Sequence, residues 1–161
     1  MKLTSGLMLY RKQNKGVEVF LVHPGSPLWA NKDEGVWSIP KGVLDQDENP
    51  RSACIREFKE ETGYDLNLNH EDLIELGLVN LYSGKNMICY AFEKDIGDIK
   101  VESNLFDLEW PPRSGNIQKF PEADKGMYFD MQTARLKLNQ KQSVFLEKLD
   151  LYLKNPELPR D

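Results

Sequence analysis

Nowhere is this chain apolar over anything near the roughly 20 residues that cross a bilayer, so it predicts neither a membrane helix nor a membrane partner. The opening MKLTSGLMLYRKQ also lacks the longer apolar run and cleavage site of a secretory leader, which predicts a cytoplasmic protein. Cysteine is scarce. Cys54 and Cys89 lie within apolar-patterned segments without metal spacing, and they read as reduced core thiols rather than a disulfide framework. Lysine- and arginine-rich blocks are missing and the net charge is −5, which argues against a duplex nucleic-acid binder. An acidic protein can still hold phosphates where local cations or metal ions offset the repulsion. The two histidines, His23 and His70, read as a strand-end and a loop residue without motif partners. No Ser/His/Asp or Cys/His constellation calls for covalent catalysis.

What is present is the composition of a folded protein: 161 residues, 40% apolar and 29% charged, which predicts a single domain over residues 1–161. LTSGLMLY and VEVFLVH read as two strands around the turn RKQNKG, and PGSPLWANKDEG as a loop, followed by a short extended VWSIP. Asn49 as N-cap, Pro50 at the first helical position and Gly63 as a left-handed terminator predict a helix over 50–62. LIELGLVNLYS and MICYAFEK read as further strands, and residues 97–126 as mostly loop. Two helices follow near 131–138 and 141–154. The second presents a broad apolar face of Val144, Phe145, Leu146, Leu149 and Leu151 to Leu153, and NPELPRD is a tail. The order of elements suggests an α/β fold layered on a mixed central sheet.

In IREFKEETGYDL, residues 55–66, the rotation of about 100° per residue puts Glu57, Glu60 and Glu61 within one arc of roughly 100°. That arc borders the stripe of Cys54, Ile55 and Phe58, so it lies at the edge of the core rather than opposite it. Like charges at this spacing, and acids near a helix C-terminus, each cost a few tenths of a kcal/mol. Arg56 and Lys59 are expected to point away from the glutamates. A charge run is ordinarily a solvated face. The other reading is a site for Mg²⁺ or Mn²⁺, hard ions that prefer carboxylate oxygen.

The upstream residues bear on that choice. GVLDQDENPRSACIREFKEETGY carries Gly42, Glu48, Arg56, Glu57, Glu60, Glu61 and Gly63 in the spacing G-x5-E-x7-R-E-U-x-E-E-x-G-U, where U is bulky and apolar, with Tyr64 the one loose fit. This resembles the Nudix box, and the preceding WSIPKG is similar to the approach to the box in relatives acting on dinucleoside polyphosphates. The resemblance implies a Nudix-type α/β/α sandwich in which Glu57, Glu60 and Glu61 ligate Mg²⁺, or Mn²⁺, with the Lys41 backbone carbonyl a further ligand. It gives Gly42, Glu48, Arg56 and Gly63 structural roles, with Arg56 and Glu48 forming a supporting salt bridge. Glu57 or an acid outside the box would help activate water.

For that outside acid the candidates are Glu93, Glu109 and Glu122, with Glu122 favoured because it precedes the aromatics Tyr128 and Phe129 as in relatives. Ordinary exposed carboxylates would look the same in sequence. Trp29, Trp110 and Arg113 lie in irregular segments where rings could stack on a base and a guanidinium could grip phosphate. Tyr82, 18 residues after Tyr64, stands where dinucleoside-polyphosphate members often place a tyrosine. Each, with Lys41, is a candidate substrate contact, and each has an equally plain reading as packing. The resemblance implies hydrolysis of a phosphoanhydride in a nucleoside diphosphate linked to another group, diadenosine tetraphosphate leading. The alternatives are a nucleoside triphosphate pyrophosphatase and a nucleotide sensor without turnover. The expected partner is a small nucleotide, and the expected state a monomer or homodimer.

Overall fold

Strand β1 (Lys2–Gln13) is buried on both faces, which is why its sequence reads as an almost unbroken apolar run. It pairs in parallel with β5 (Lys85–Glu93) along one edge, from Lys2 opposite Lys85 to Tyr10 opposite Glu93. The other edge is shared by two partners. Its C-terminal end pairs with β2 (Gly16–Pro24), and Thr4 to Gly6 pair with the short β3 (Lys41–Val43). Between the two, Leu7 donates its N–H to the Pro40 carbonyl at 3.0 Å. The splay delivers Lys41 and Gly42 beside the central helix α1 (Pro50–Thr62).

The computed structural model describes residues 2–156, so the part of the expected tail at residues 157–161 lies outside the described residues. The mixed sheet runs β4 (Ile74–Tyr82), β5, β1, β2, then β8 (Ala123–Asp130), with β3 alongside β1. Strands β6 (Leu105–Glu109) and β7 (Ile117–Pro121) form a separate antiparallel hairpin. Helices α2 (Met131–Lys137) and α3 (Ser143–Lys154) complete the chain.

Alternation along the central strands divides the core in two. Leu7, Leu9, Phe20 and Val22 pack with Cys54 and Phe58 of α1. On the opposite face Met8, Tyr10, Val19 and Leu21 pack with Ala134, Leu138, Phe145, Leu146 and Leu149. The result is an α/β/α sandwich. Helix α1 begins as its residues dictate: the Asn49 side chain accepts from Arg51 N–H at 2.8 Å and Pro50 opens the first turn. It ends at Gly63, φ 79°, whose N–H donates to Lys59 O. Both cysteines are free and buried.

Two expectations need correction. Residues 97–126 are more ordered than expected: nearly half of them lie in the β6–β7 hairpin and the start of β8. The Pro, Ser, Gly and Asn of Pro111–Asn116 mark only its tip, whereas the flanks alternate in period two, a weaker signal when strands are five residues long. The apolar face of α3 is also narrower than expected. Phe145, Leu146 and Leu149 are buried, but Val144 and Leu151 face solvent, because a stripe about 100° wide is all that one sheet face can cover.

The VWSIP segment makes isolated bridges rather than a strand, at Ser38 with Val22 and at Trp37 with Leu138. Buried Gln142 fixes it, accepting from Ile39 N–H at 2.9 Å and donating to Ser38 Oγ at 3.0 Å.

Phe58 joins α1 to the sheet and stacks at 5.8 Å from Phe20. Phe58→Ala should lower unfolding stability by about 3–5 kcal/mol in urea titrations, the usual range for a fully buried ring.

Candidate active site

The outward turn of α1, β3 and the segment joining β7 to β8 meet at one place. Gly42 of β3 lies directly on the Glu57 carboxyl group, and a Cβ there would overlap it, which is the physical reason for glycine at that position. Lys41, the preceding residue, donates its N–H to Glu61 Oε1 at 3.2 Å. Glu57 and Glu61 are both buried, and Glu60 is half-buried between them and solvent.

Arg56 organises the acids. Its Nη1 donates to Glu57 Oε1 at 2.8 Å and to Glu60 Oε2 at 2.7 Å, while Nε and Nη2 each reach Glu48 at 2.8 Å. The sequence reading expected Arg56 to point away from the glutamates, and this is wrong. Its Cα–Cβ direction does lie off their arc, but a long flexible stem lets the guanidinium fold back across one turn. Lys59 does turn away, to Asp65 at 3.6 Å. Glu48 in turn accepts Asp45 N–H at 3.0 Å, so the loop before α1 is tied to the same guanidinium.

The charges feel this geometry. Hydrogen bonds from Arg56 hold the Glu48 carboxyl below the usual range. Burial raises Glu57 against the pull of Arg56, and burial pushes Glu61 up to about 7 although Lys41 opposes it. Glu122, reached 61 positions after Glu61, joins the group: its charge raises both Glu57 and Glu61. Its own carboxyl exposes much of its surface to solvent, yet the surrounding protein and then Glu60 raise it. The other candidate acids are engaged elsewhere. Glu93 pairs with Lys12 at 3.7 Å, and Glu109 accepts the N–H groups of Arg113 and Gly115, each at 3.2 Å.

Four carboxylates thus face Arg56 and Lys41, and Arg56 is shared with Glu48. An all-oxygen, partly buried donor set with excess negative charge fits a hard divalent cation. Among the described residues no three acidic, histidine or cysteine side chains are drawn round a common point; in this arrangement the carboxylates are bonded to Arg56 and the Lys41 N–H instead.

Other candidates are spread more widely. Trp29 ends a 3₁₀ turn, Pro27–Trp29, with Lys32 Nζ 5.2 Å from its ring centre. Tyr82 sits exposed between Lys85 and Lys141, at 5.5 and 4.5 Å from its ring. Trp110 and Arg113 belong to the tip of the β6–β7 hairpin. The sequence reading missed two positioning residues. Gln142 gives no signal in sequence. His23, taken as a plain strand-end residue, is buried and bonds Asp124 at 2.9 Å and the Lys32 carbonyl at 2.7 Å, clasping the 24–32 loop to β8.

Comparison with known proteins decides the family: the NUDIX domain profile matches residues 2–148. The chain belongs to the NUDIX family. NUDIX hydrolases generally depend on divalent metal. RNA pyrophosphohydrolase of Agrobacterium fabrum is 30% identical over 106 residues, 55% of this chain and 56% of that protein. The m7GpppN-mRNA hydrolase of Saccharomyces cerevisiae is 57% identical over 80 residues, 46% of this chain and 8% of that protein. The chain therefore spans about half or less of these relatives. The solved binary complex of Caenorhabditis elegans Ap4A hydrolase aligns with 96% of this chain and 98% of its own, with TM-score 0.64 and 20% identity, which shows the fold.

The raised Glu61 carboxyl sets a pH dependence for the metal-free protein. Its folded pKa of about 7 exceeds its ordinary value of 4.5, so the folded state holds the proton more tightly than the unfolded state does. Its stabilising contribution is full below about 4.5 and is lost as pH rises towards 7, on the order of 3 kcal/mol in all. Thermal melts in chelator should show Tm falling across that window, and Glu61→Gln should flatten the fall.

Proposed function

We propose that this chain is a Mg²⁺-dependent hydrolase of a phosphoanhydride in a nucleoside diphosphate linked to another group, with diadenosine tetraphosphate the leading substrate. The observation that carries the reading is the acidic patch in which Glu122 is near enough to raise Glu57 and Glu61, and Glu60 to raise Glu122, with more negative charge than Arg56 and Lys41 neutralise. The fold likeness to Ap4A hydrolase supports the substrate.

Glu57, Glu60, Glu61, Glu122 and the Lys41 carbonyl would hold the ion. Bound there, a divalent metal neutralises phosphate oxygens and lowers the pKa of a coordinated water. The residues of the chain do the rest. Arg56 fixes Glu57 and Glu60 through Nη1, and its grip on Glu48 holds the loop between β3 and α1. Lys41 N–H orients the Glu61 carboxylate. The Glu122 carboxyl, raised by burial and by Glu60, is suited to take the proton of the attacking water. Trp29, Tyr82, Trp110 and Arg113 are proposed substrate contacts, Lys41 Nζ a phosphate contact, and Mn²⁺ a substitute for Mg²⁺. The second reading, a 5′ polyphosphate end of RNA, is favoured by the pyrophosphohydrolase and decapping relatives.

Purified protein should release mononucleotides from diadenosine tetraphosphate only with Mg²⁺ or Mn²⁺ present. Glu60→Gln should lower kcat about 100-fold or more and Glu122→Gln roughly tenfold or more, with unchanged melting curves. Full turnover in Glu122→Gln would remove that residue from the site. Tight nucleotide binding without hydrolysis of either substrate class would instead identify a sensor.

A further inference from the structure

The β6–β7 hairpin is attached at the mouth of the carboxylate site. Asn104, just before β6, donates its N–H to the Glu60 carbonyl at 2.7 Å, and Glu102 N–H donates to Thr62 O at 3.0 Å. The base of the hairpin is thus bonded to the last turn of α1. Its register runs from Glu109 opposite Ile117 down to Leu105 opposite Pro121. The same register continues one step further, where Glu122 N–H donates to Asn104 O at 2.9 Å, and above, where Trp110 N–H donates to Asn116 O at 2.9 Å.

Opposed residues of an antiparallel pair share a face, and faces alternate along each strand. One face therefore carries Phe106, Leu108, Trp110, Gln118 and Phe120, and Glu122 continues it. Those three rings and Leu108 are half-buried, whereas Leu105 and Ile117 on the other face are 57% and 64% exposed. None of Phe106, Leu108, Trp110 or Phe120 belongs to either hydrophobic core. The aromatic face is thus the sheltered one, and it leads down to the carboxylates.

The tip is also firmly set. Glu109 accepts two backbone N–H groups, Gln118 Nε2 donates to Trp110 O at 2.6 Å, and Ser114 Oγ accepts Asn116 N–H at 3.1 Å. A hairpin that adds nothing to either core, yet has an ordered tip and a sheltered row of rings, is built to receive something.

We propose that this hairpin is the specificity arm of the site, and that the opposed pair Phe106 and Phe120, the rings of this face next to Glu122, receives the nucleobase of the substrate by stacking. This rests on the reading of the carboxylates as a metal-phosphate site. The occupant follows from continuity: a group on this face is covalently within reach of a phosphate held at Glu122, and a planar base offers the π-face that rings stack upon. Stacking on such rings contributes about 1–3 kcal/mol per base.

Titration calorimetry with Mg²⁺ separates the parts, using α,β-methylene-ADP and the base-free methylenediphosphonate as probes. The native protein should bind the nucleotide probe roughly tenfold or more tightly than the diphosphonate. Phe120→Leu and Phe106→Leu, which keep apolar bulk and remove the ring, should each lose most of that preference. Circular dichroism melts report on folding in both variants. A preference unchanged in both variants overturns the arm while leaving the metal-phosphate site in place. Diphosphonate binding that ignores Mg²⁺ and survives Glu60→Gln overturns the site reading instead. Binding of neither probe overturns both.

Discussion

One guanidinium makes the acidic end of α1 possible. Four carboxylates on or beside a helix C-terminus repel each other and oppose the helix dipole, and two of them are buried as well. Several tenths of a kcal/mol from repulsion are minor beside the desolvation of Glu57 and Glu61, which is of order kcal/mol for each. Arg56 offsets both terms with charge-assisted hydrogen bonds to Glu48, Glu57 and Glu60. It makes no hydrogen bond to Glu61 among the described residues. Burial, opposed by Lys41 and reinforced by Glu122 and Glu57, pushes that carboxyl up to about 7. The remaining excess of negative charge is the property a divalent cation would exploit.

The same residue links the site to the fold. Through Glu48 it tethers the loop that follows β3, the strand whose pairing with β1 places Gly42 on the Glu57 carboxyl. The splay of β1 between β2 and β3 then fixes the loop in space. Gln142 and His23 work at a greater distance, one anchoring Ser38 and Ile39 just before the box, the other clasping the 24–32 loop to β8. The site is therefore held by backbone pairing from the sheet and by the hydrogen bonds of three side chains, Arg56, Gln142 and His23.

Much of this could be read from sequence where local rules dominate. Asn49, Pro50 and Gly63 state the limits of α1 through capping chemistry that depends on near neighbours alone, and the spacing of Glu57, Glu60 and Glu61 states their shared arc. What was not readable depends on partners distant in sequence. The direction of Arg56 is set by Glu48 across a loop, and the burial of His23 by Asp124, 101 positions away. The β6–β7 hairpin was hidden differently: five-residue strands give period-two patterning too little length to outweigh the turn residues between them. Glu122 was chosen over Glu93 and Glu109 by analogy, and only the tertiary arrangement shows it beside Glu60.

The parallel pairing of β1 with β5 has a bearing on synthesis. The first strand, apolar on both faces, finds β2 at once across a short turn, but its other edge waits for a segment more than eighty positions downstream. At ribosomal speeds of about 5–20 residues per second, that is a delay of roughly 4–16 s. Throughout it β1 carries an unpaired edge beside leucines that are buried in the finished fold, the kind of edge that other strands can pair with. The pairing at the centre of the sheet is thus one that synthesis completes late.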